Sequence, residues 1–427
     1  MLFSIIPKHL TRTRPVELVR EYIQDCLYNP NYGYFCKMVS ILDGASGAGG
    51  IDFPSLKNER AFQVKLAELY GYEKHVSYTE ENKFHNKWHT ASELFWPYYG
   101  HGIGKWIFER VGGALAFEKV RILEIGAGNG SLCSSILDYA KKNHPTHFES
   151  MEYHLVEVSD QLHQKQLSNL SGEAKAKCTF HNKSIFDYQP NTLSKNEHWF
   201  ILGMEVLDNL PHDKIMYSPE DGQLLQCEVH TNERAKYGQL DYQEVFVPLK
   251  DRLILETARV LDAIGHKSPS LKGSIWDLFY QDLGKGNFGV NPWRTEFIPT
   301  MAFQLLRQLV QTFPRHTMLF GDFSWLPERI PGHNAPLVQS CLRGETLAVE
   351  RYLLQRGYFD IMFQTDFGLV EKMHIYLAGK GRGKVHNHAD LMRKYAPIDK
   401  TRLQNGTNPM VEEYLNMKYF EGTTEAL

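Results

Sequence analysis

The segment Glu124-Ile125-Gly126-Ala127-Gly128-Asn129-Gly130 ends an apolar run on a carboxylate and spaces three glycines as G-x-G-x-G before Ser131. An apolar run followed by such a turn and an amphipathic stretch reads as strand, loop and helix, and open α/β sheets bind ligands at the carboxyl ends of their strands. Gly126, Gly128 and Gly130, with Ala127 between the first two, let the backbone turn sharply and approach a ligand with no Cβ in the way. A dinucleotide fingerprint needs its third glycine one residue later, where Ser131 stands, so the spacing disfavours a pyrophosphate on the helix N-terminus. The strand-end acid Glu124 instead suits a cationic group. The next apolar run, 153–159, carries Glu157 near its end, where a carboxylate accepts the two hydroxyls of a ribose. An acid for an ammonium beside an acid for a ribose describes a nucleoside with an amino-acid tail, and S-adenosyl-L-methionine is the expected cofactor. Loss of Glu124 is expected to remove about 1.5 to 3 kcal/mol, one to two decades of affinity.

After the third predicted strand, KSIFDY brings Ser184, Ile185 or Asp187 near the adenine, with Ser184 and Ile185 taken as the contacts. The fourth strand runs into GMEVLDNLP. It places Glu205 and Asp208 where a methyl acceptor would enter, with Asn209-Leu210-Pro211 shaping the lip; a capping role is the alternative for Asp208. Other motifs fail on context. DGASGAGG at 43–50 has no strand leading in and no Gly-Lys-Ser/Thr ending it, so a linker is expected, and GHGIGKW at 100–106 fails in the same way. The Asp366-Phe367-Gly368 triplet lacks every other kinase signature. His386-Asn387-His388 has no matching acid or cysteine, and no metal is assigned.

These residues need a parallel sheet to position them. From Val120 onward short apolar runs alternate with amphipathic stretches, the pattern of right-handed βαβ units. Strands are predicted at 120–125, 153–159, 178–181, 198–203 and 315–322, with helices near 130–142, 160–170, 251–263 and 300–312. A late strand is expected at 372–378, on the sheet edge. The fold class is therefore α/β, a class I methyltransferase (Rossmann-like) arrangement with a mostly parallel seven-stranded sheet. Residues 17–117 read as a helical N-terminal cap, 118–229 as the cofactor-binding core, 230–300 as an insertion or lid, 301–384 as the rest of the core, and 385–427 as a peripheral tail. Residues 1–16 hold Lys8, Arg12 and Arg14 with no acid before Glu17; this is the composition of a mitochondrial transit segment or of an incidentally basic N-terminus.

Bulk composition narrows the class further. The 427 residues carry a net charge of -3 with interspersed signs, so no basic footprint for nucleic acid is present. No apolar run approaches the roughly 18 residues of a membrane span. Six cysteines without a C-x-x-C pair argue against a disulfide framework or a zinc site and fit a reducing compartment.

In these residues and the segments around them, the sequence resembles the MidA family of class I methyltransferases. The cap signature appears as Cys26-Leu27-Tyr28-Asn29-Pro30-Asn31-Tyr32-Gly33-Tyr34-Phe35, and Thr90-Ala91-Ser92-Glu93-Leu94 is similar to the family's T-S-P-E-I segment. Leu123 to Leu132, Tyr153 to Gln166 and Met204 to Pro211 match its three core motifs, with Met204 standing where the family usually has Asn. GDFSWLP and TDFGLV resemble two later segments. The resemblance implies a mitochondrial enzyme that methylates a protein arginine side chain, with a respiratory-complex subunit as partner, and Glu205, Asp208 or Glu93 orienting the guanidinium. A catalytically silent assembly chaperone, or a methyltransferase of another residue or small molecule, is the alternative. Tyr28, Tyr32 and Tyr34 are expected at the acceptor mouth or packing the cap onto the sheet.

Overall fold

A computed structural model describes residues 15–42, 50–70, 86–111, 119–189, 196–218, 221–234, 239–266, 295–326, 335–342 and 345–424. Its centre is a seven-stranded sheet whose strands, labelled in chain order, are β1 (Arg121–Ile125), β2 (Glu152–Glu157), β3 (Cys178–Asn182), β4 (Trp199–Met204), β5 (His316–Phe323), β6 (Arg382–Asn387) and β7 (Met417–Thr423). The spatial order is β6-β7-β5-β4-β1-β2-β3. Strands β1 to β5 pair in parallel and β7 runs antiparallel to both of its neighbours. Chain order reverses between β1 and β4, which opens a crevice at their carboxyl ends.

The central strands are apolar throughout because both faces are covered. Trp106, Ile122, Phe200 and Leu202 belong to one buried cluster, whereas Leu123, Ile201, Leu305 and Phe320 belong to another. Alternation along β1 and β4 thus feeds two cores from one sheet. Helix Ser131–Asn143 directly follows the glycine loop and buries Leu132, Cys133, Ile136, Leu137 and Ala140. The helix-period spacing predicted near 160–170, 251–263 and 300–312 is realised as Asp160–Asn169, Arg252–Ala263 and Thr300–Thr312.

Two expectations are corrected. Residues 372–378 lie in the helix Phe367–Ala378 and not in a strand. The run KMHIYLA is short and apolar enough to read as either, and Asp366 decides it locally by accepting the N–H of Leu369 at 3.0 Å as an N-cap. Nor is the segment 385–427 peripheral, because β7 lies between β5 and β6. Its Tyr419 and Phe420 are fully buried, one in each core. Neither His386 nor His388 stands free: His386 Nε2 meets Glu421 at 3.0 Å and His388 bridges Tyr419 Oη and the Met410 carbonyl.

The N-terminal region is less helical than expected. The helix Val19–Tyr28 is preceded by a strand, Val16–Leu18, that joins a second sheet with Leu224–Arg234, Asp213–Tyr217, Thr295–Ile298 and Gln239–Pro248. Arg20 fastens this helix by ion pairs of 2.6 Å to Asp213 and to Asp251. Within the stretch expected as an insertion, the antiparallel pair Leu224–Arg234 and Gln239–Pro248 belongs to this sheet, while helix Arg252–Ala263 puts Ile254, Val260 and Leu261 into the second core. Residues 267–294, most of the rest of that expected lid, lie outside the described residues, as do the transit-like positions 1–14 and most of the 43–50 linker. Among the described residues, no helix is long and apolar enough to cross a membrane.

Candidate functional site

A cavity of about 470 Å³ opens over the carboxyl ends of β1, β2 and β4. Its floor is the glycine loop. Gly126, Gly128 and Gly130 have φ of +67°, +53° and +83°, a region that L side chains enter only at a cost of about 1 to 2 kcal/mol. A Cβ on Gly126 would lie 2.9 Å from Val206 Cγ2, and one on Gly128 would lie 3.3 Å from Ile41 Cδ1. The loop is held from beneath by Gly126 N–H donating to the Val156 carbonyl (2.9 Å) and from the side by Gln166 Nε2 donating to the Gly128 carbonyl (2.9 Å). Glycine here serves both the turn and the open cradle above it.

Two carboxylates flank that cradle. Glu157, at the end of β2, accepts the N–H groups of Ser159 (2.9 Å) and Gly128 (3.0 Å), so the second strand end also pins the loop of the first. Glu124, at the end of β1, accepts the Tyr153 hydroxyl at 2.6 Å. Burial pushes the Glu124 carboxyl up to about 8, with the neighbouring Glu157 charge adding to the effect, and raises Glu157 to about 7. Neither has a cation paired with it among the described residues. Ser184 and Ile185 line the same cavity, and the Ser184 hydroxyl accepts the Phe186 N–H at 3.2 Å, capping the short helical turn Ile185–Asp187. Asp187 faces a neighbouring cavity.

The opposite end is formed by the turn after β4. Glu205 lines the cavity with φ +56°, the one positive value among the described non-glycine residues, and its N–H donates to the Gly321 carbonyl at 2.7 Å. Backbone held in that region points to a functional constraint. Its Oε1 accepts the Ala91 N–H at 3.3 Å, and burial together with the Asp322 charge raises its carboxyl to about 8. Asp208 also lines the cavity, is 3 % exposed, and has no hydrogen-bond partner at Oδ1. Burial first, then Asp322, Asp360 and Glu205, drive its carboxyl well upward. Asp208 caps no helix.

The predicted residues Glu124, Gly126, Ala127, Gly128, Glu157, Ser184, Ile185, Glu205 and Asp208 all line this one cavity, while Gly130 turns the loop just below it. Glu93 also lines it and accepts the Ser131 hydroxyl at 2.5 Å. Of the three tyrosines, Tyr28 reaches the cavity and donates to the Asn209 carbonyl at 3.2 Å, whereas Tyr34 is fully buried in the N-terminal core and Tyr32 hydrogen-bonds Asp25. Sequence reasoning missed Phe35, Ile41 and Trp88, which roof the cavity, and the buried acids Asp322 and Asp360 behind the turn. Asp322 carried a readable signal, since Gly321-Asp322-Phe323 ends a strand on an acid just as Glu124 and Glu157 do. Asp360 follows an ordinary loop, and nothing local singles it out.

Comparison with known proteins gives the same outline. A family model described as "Putative S-adenosyl-L-methionine-dependent methyltransferase" matches residues 102–382. A Schizosaccharomyces pombe protein named "Protein arginine methyltransferase NDUFAF7 homolog, mitochondrial" is 24% identical over 236 residues, which cover 52% of this chain and 47% of that protein. The chain thus spans about half the length of this curated relative. A Burkholderia thailandensis crystal structure bound to S-adenosyl-homocysteine covers 96% of this chain and 88% of its own with a TM-score of 0.56 at 15% identity. A native structure from the same organism gives 0.54 at 14% identity, over 96% and 87% of the two chains. At such identities the likeness speaks for the fold alone.

Proposed function

Because the chain belongs to the S-adenosyl-L-methionine-dependent methyltransferase family and uses that cofactor, we propose that it methylates an arginine side chain of a protein substrate in mitochondria. The observation that carries the reading is the polarity of the cavity. Its cradle end holds two carboxylates fixed by hydrogen bonds, and its far end holds Asp208 and Glu205 facing in with no cation beside them among the described residues. The name of the fission yeast relative supports the arginine acceptor and the compartment, and a respiratory-complex subunit is the partner that the sequence resemblance suggests.

The residues fit the cofactor. Glu124 balances the ammonium of its methionine end, Glu157 accepts the ribose hydroxyls, the open backbone of Gly126 to Gly130 admits the chain between them, and Ser184 and Ile185 lie toward the adenine. When bound, S-adenosyl-L-methionine supplies a methyl group on a sulfonium, which needs no nucleophilic side chain from the protein. What the chain must do is hold the acceptor nitrogen about 3 to 3.5 Å from that carbon and exclude water. A guanidinium, with a pKa above about 12, has no free lone pair at neutral pH. Carboxylates at Glu205 and Asp208 orient its plane, localise electron density on one nitrogen, and receive the proton it must lose.

The test is isotope-labelled S-adenosyl-L-methionine incubated with the chain and with mitochondrial extract from cells lacking it, followed by mass spectrometry of the labelled band. A labelled methylarginine is the expected result. Cofactor binding without any protein label would favour a silent assembly chaperone or a small-molecule acceptor.

A further inference from the structure

The acceptor end of the cavity contains more negative charge than lines it. Behind the Glu205–Asp208 turn, the end of β5 inserts Asp322, which is fully buried and does not face the cavity. Its Oδ2 accepts the N–H groups of Leu207 (2.7 Å) and Asp208 (3.1 Å), and its Oδ1 accepts the Phe323 N–H (2.7 Å). The same strand end fixes Glu205 through the Gly321 carbonyl. From the other side Asp360 accepts Asn209 Nδ2 at 2.8 Å, and the Phe363 N–H donates to the Asp208 carbonyl at 2.7 Å. The turn is therefore clamped along its backbone, while the Asp208 carboxyl lies in the cavity wall with Oδ1 buried and without a hydrogen-bond partner.

Four buried or half-buried acids, Glu205, Asp208, Asp322 and Asp360, meet here, and none takes part in an ion pair among the described residues. Tyr28 is the titratable group facing them from the N-terminal helix. Uncompensated buried charge is costly, and the arrangement is relieved by a cation that reaches Asp208.

We propose that Asp322 is the positioning residue of the acceptor subsite: it holds the 205–208 turn so that the unpaired Asp208 carboxyl stands in the cavity wall as the docking group, and its own charge makes the subsite select a cationic group. This rests on the acceptor end assigned above but not on turnover. A planar, positively charged guanidinium satisfies Asp208 and Glu205 together, whereas a neutral amide of the same shape leaves the charge behind them unbalanced.

The experiment is ligand-observed NMR on the full chain saturated with S-adenosyl-homocysteine, with methylguanidinium as probe and methylurea as its uncharged control, from pH 6 to 9. Methylguanidinium is expected to bind and methylurea not, with binding rising as Asp208 ionises. Asp208→Asn should lose about tenfold or more in affinity, the worth of one charged hydrogen bond. Asp322→Asn should weaken binding at pH 9 and move the midpoint of the pH profile downward, because Asp208 then ionises without a like charge at its back. A purely structural role would weaken binding with the midpoint unmoved. Should Asp322→Asn fail to fold, Asp360→Asn leaves the Asp322 hydrogen bonds to the turn untouched and keeps an amide oxygen to accept from Asn209, and it must move the midpoint the same way by a smaller amount. Equal binding of methylurea, or midpoints unchanged in the variants that fold, would overturn the proposal. Binding retained with no labelled methylarginine would instead sink the proposed reaction and leave this subsite standing.

Discussion

The two ends of the cavity use the same residue type in opposite conditions. At the cradle, Glu157 is held by two backbone N–H groups and Glu124 by a tyrosine hydroxyl, so each carboxylate keeps one geometry before any ligand arrives. At the acceptor end, Asp208 leaves an oxygen unpartnered, Glu205 sits in a backbone conformation rare for a residue with a side chain, and Asp322 adds charge from behind. The first is a preorganised binding site. The second holds buried acids that stay protonated near neutral pH or ionise against a cation, and the proposed acceptor supplies that cation. Damage to the two ends should therefore separate binding from transfer.

The sharpest separation is expected from Glu205→Gln. It preserves shape and the contact to the Ala91 N–H through the amide oxygen but removes the charge to which the proposed function gives the orienting of the guanidinium and the uptake of its proton. Methyl transfer should fall by about three decades or more, in line with loss of a general base together with a charged contact, while cofactor affinity measured by calorimetry stays within about twofold. Transfer at the wild-type rate would remove Glu205 from the acceptor site. The next largest effect belongs to the other end. Glu124→Gln should weaken S-adenosyl-L-methionine binding by about one to two decades, with the rate at saturating cofactor much less affected. An unchanged dissociation constant would mean that Glu124 serves the Tyr153 hydroxyl and not a ligand.

The unequal ends were also unequally legible. The cradle is local: strand, acid, glycines and helix follow one another within Arg121–Asn143, and the next strand repeats the acid, so spacing alone placed Glu124 and Glu157 in one crevice. The central parallel strands β1, β4 and β5 were readable as apolar runs buried on both faces, whereas β3, CTFHN, is half-exposed and was read from its place in the βα alternation. The acceptor end is assembled from segments more than a hundred residues apart, with Asp322 meeting Leu207 and Asp360 meeting Asn209. No periodicity reports such a contact. The last two strands were hidden differently. Strand β6 is half-exposed and polar, RGKVHN, and finds its place only because β7 pairs with it on one side and with β5 on the other. The apolar run before it looked more strand-like and became a helix because Asp366 caps it.

The smallest expected effect sharpens the comparison at the cradle itself. Burial raises Glu124 to about 8 and Glu157 to about 7 from an ordinary value of 4.5, so between about pH 4.5 and 8 the folded chain retains protons that the unfolded chain has released. The contribution of these two groups to the stability of the ligand-free protein then falls as pH rises through that window, because at them the unfolded state binds fewer protons there. An ammonium at Glu124 and hydroxyls donated to Glu157 both favour the carboxylate, so cofactor binding expels those protons and tightens with pH. Between pH 6 and 7, where an α-amino group is still largely protonated, the affinity should rise about ten- to fiftyfold per unit, the lower figure if Glu124 alone releases its proton. Calorimetry across that range, repeated in buffers of different ionisation enthalpy, reads the released protons directly. Glu124→Gln should flatten the rise, whereas Glu205→Gln should leave it intact, since Glu205 lies at the far end of the cavity, which the proposed function gives to the acceptor and not to the cofactor.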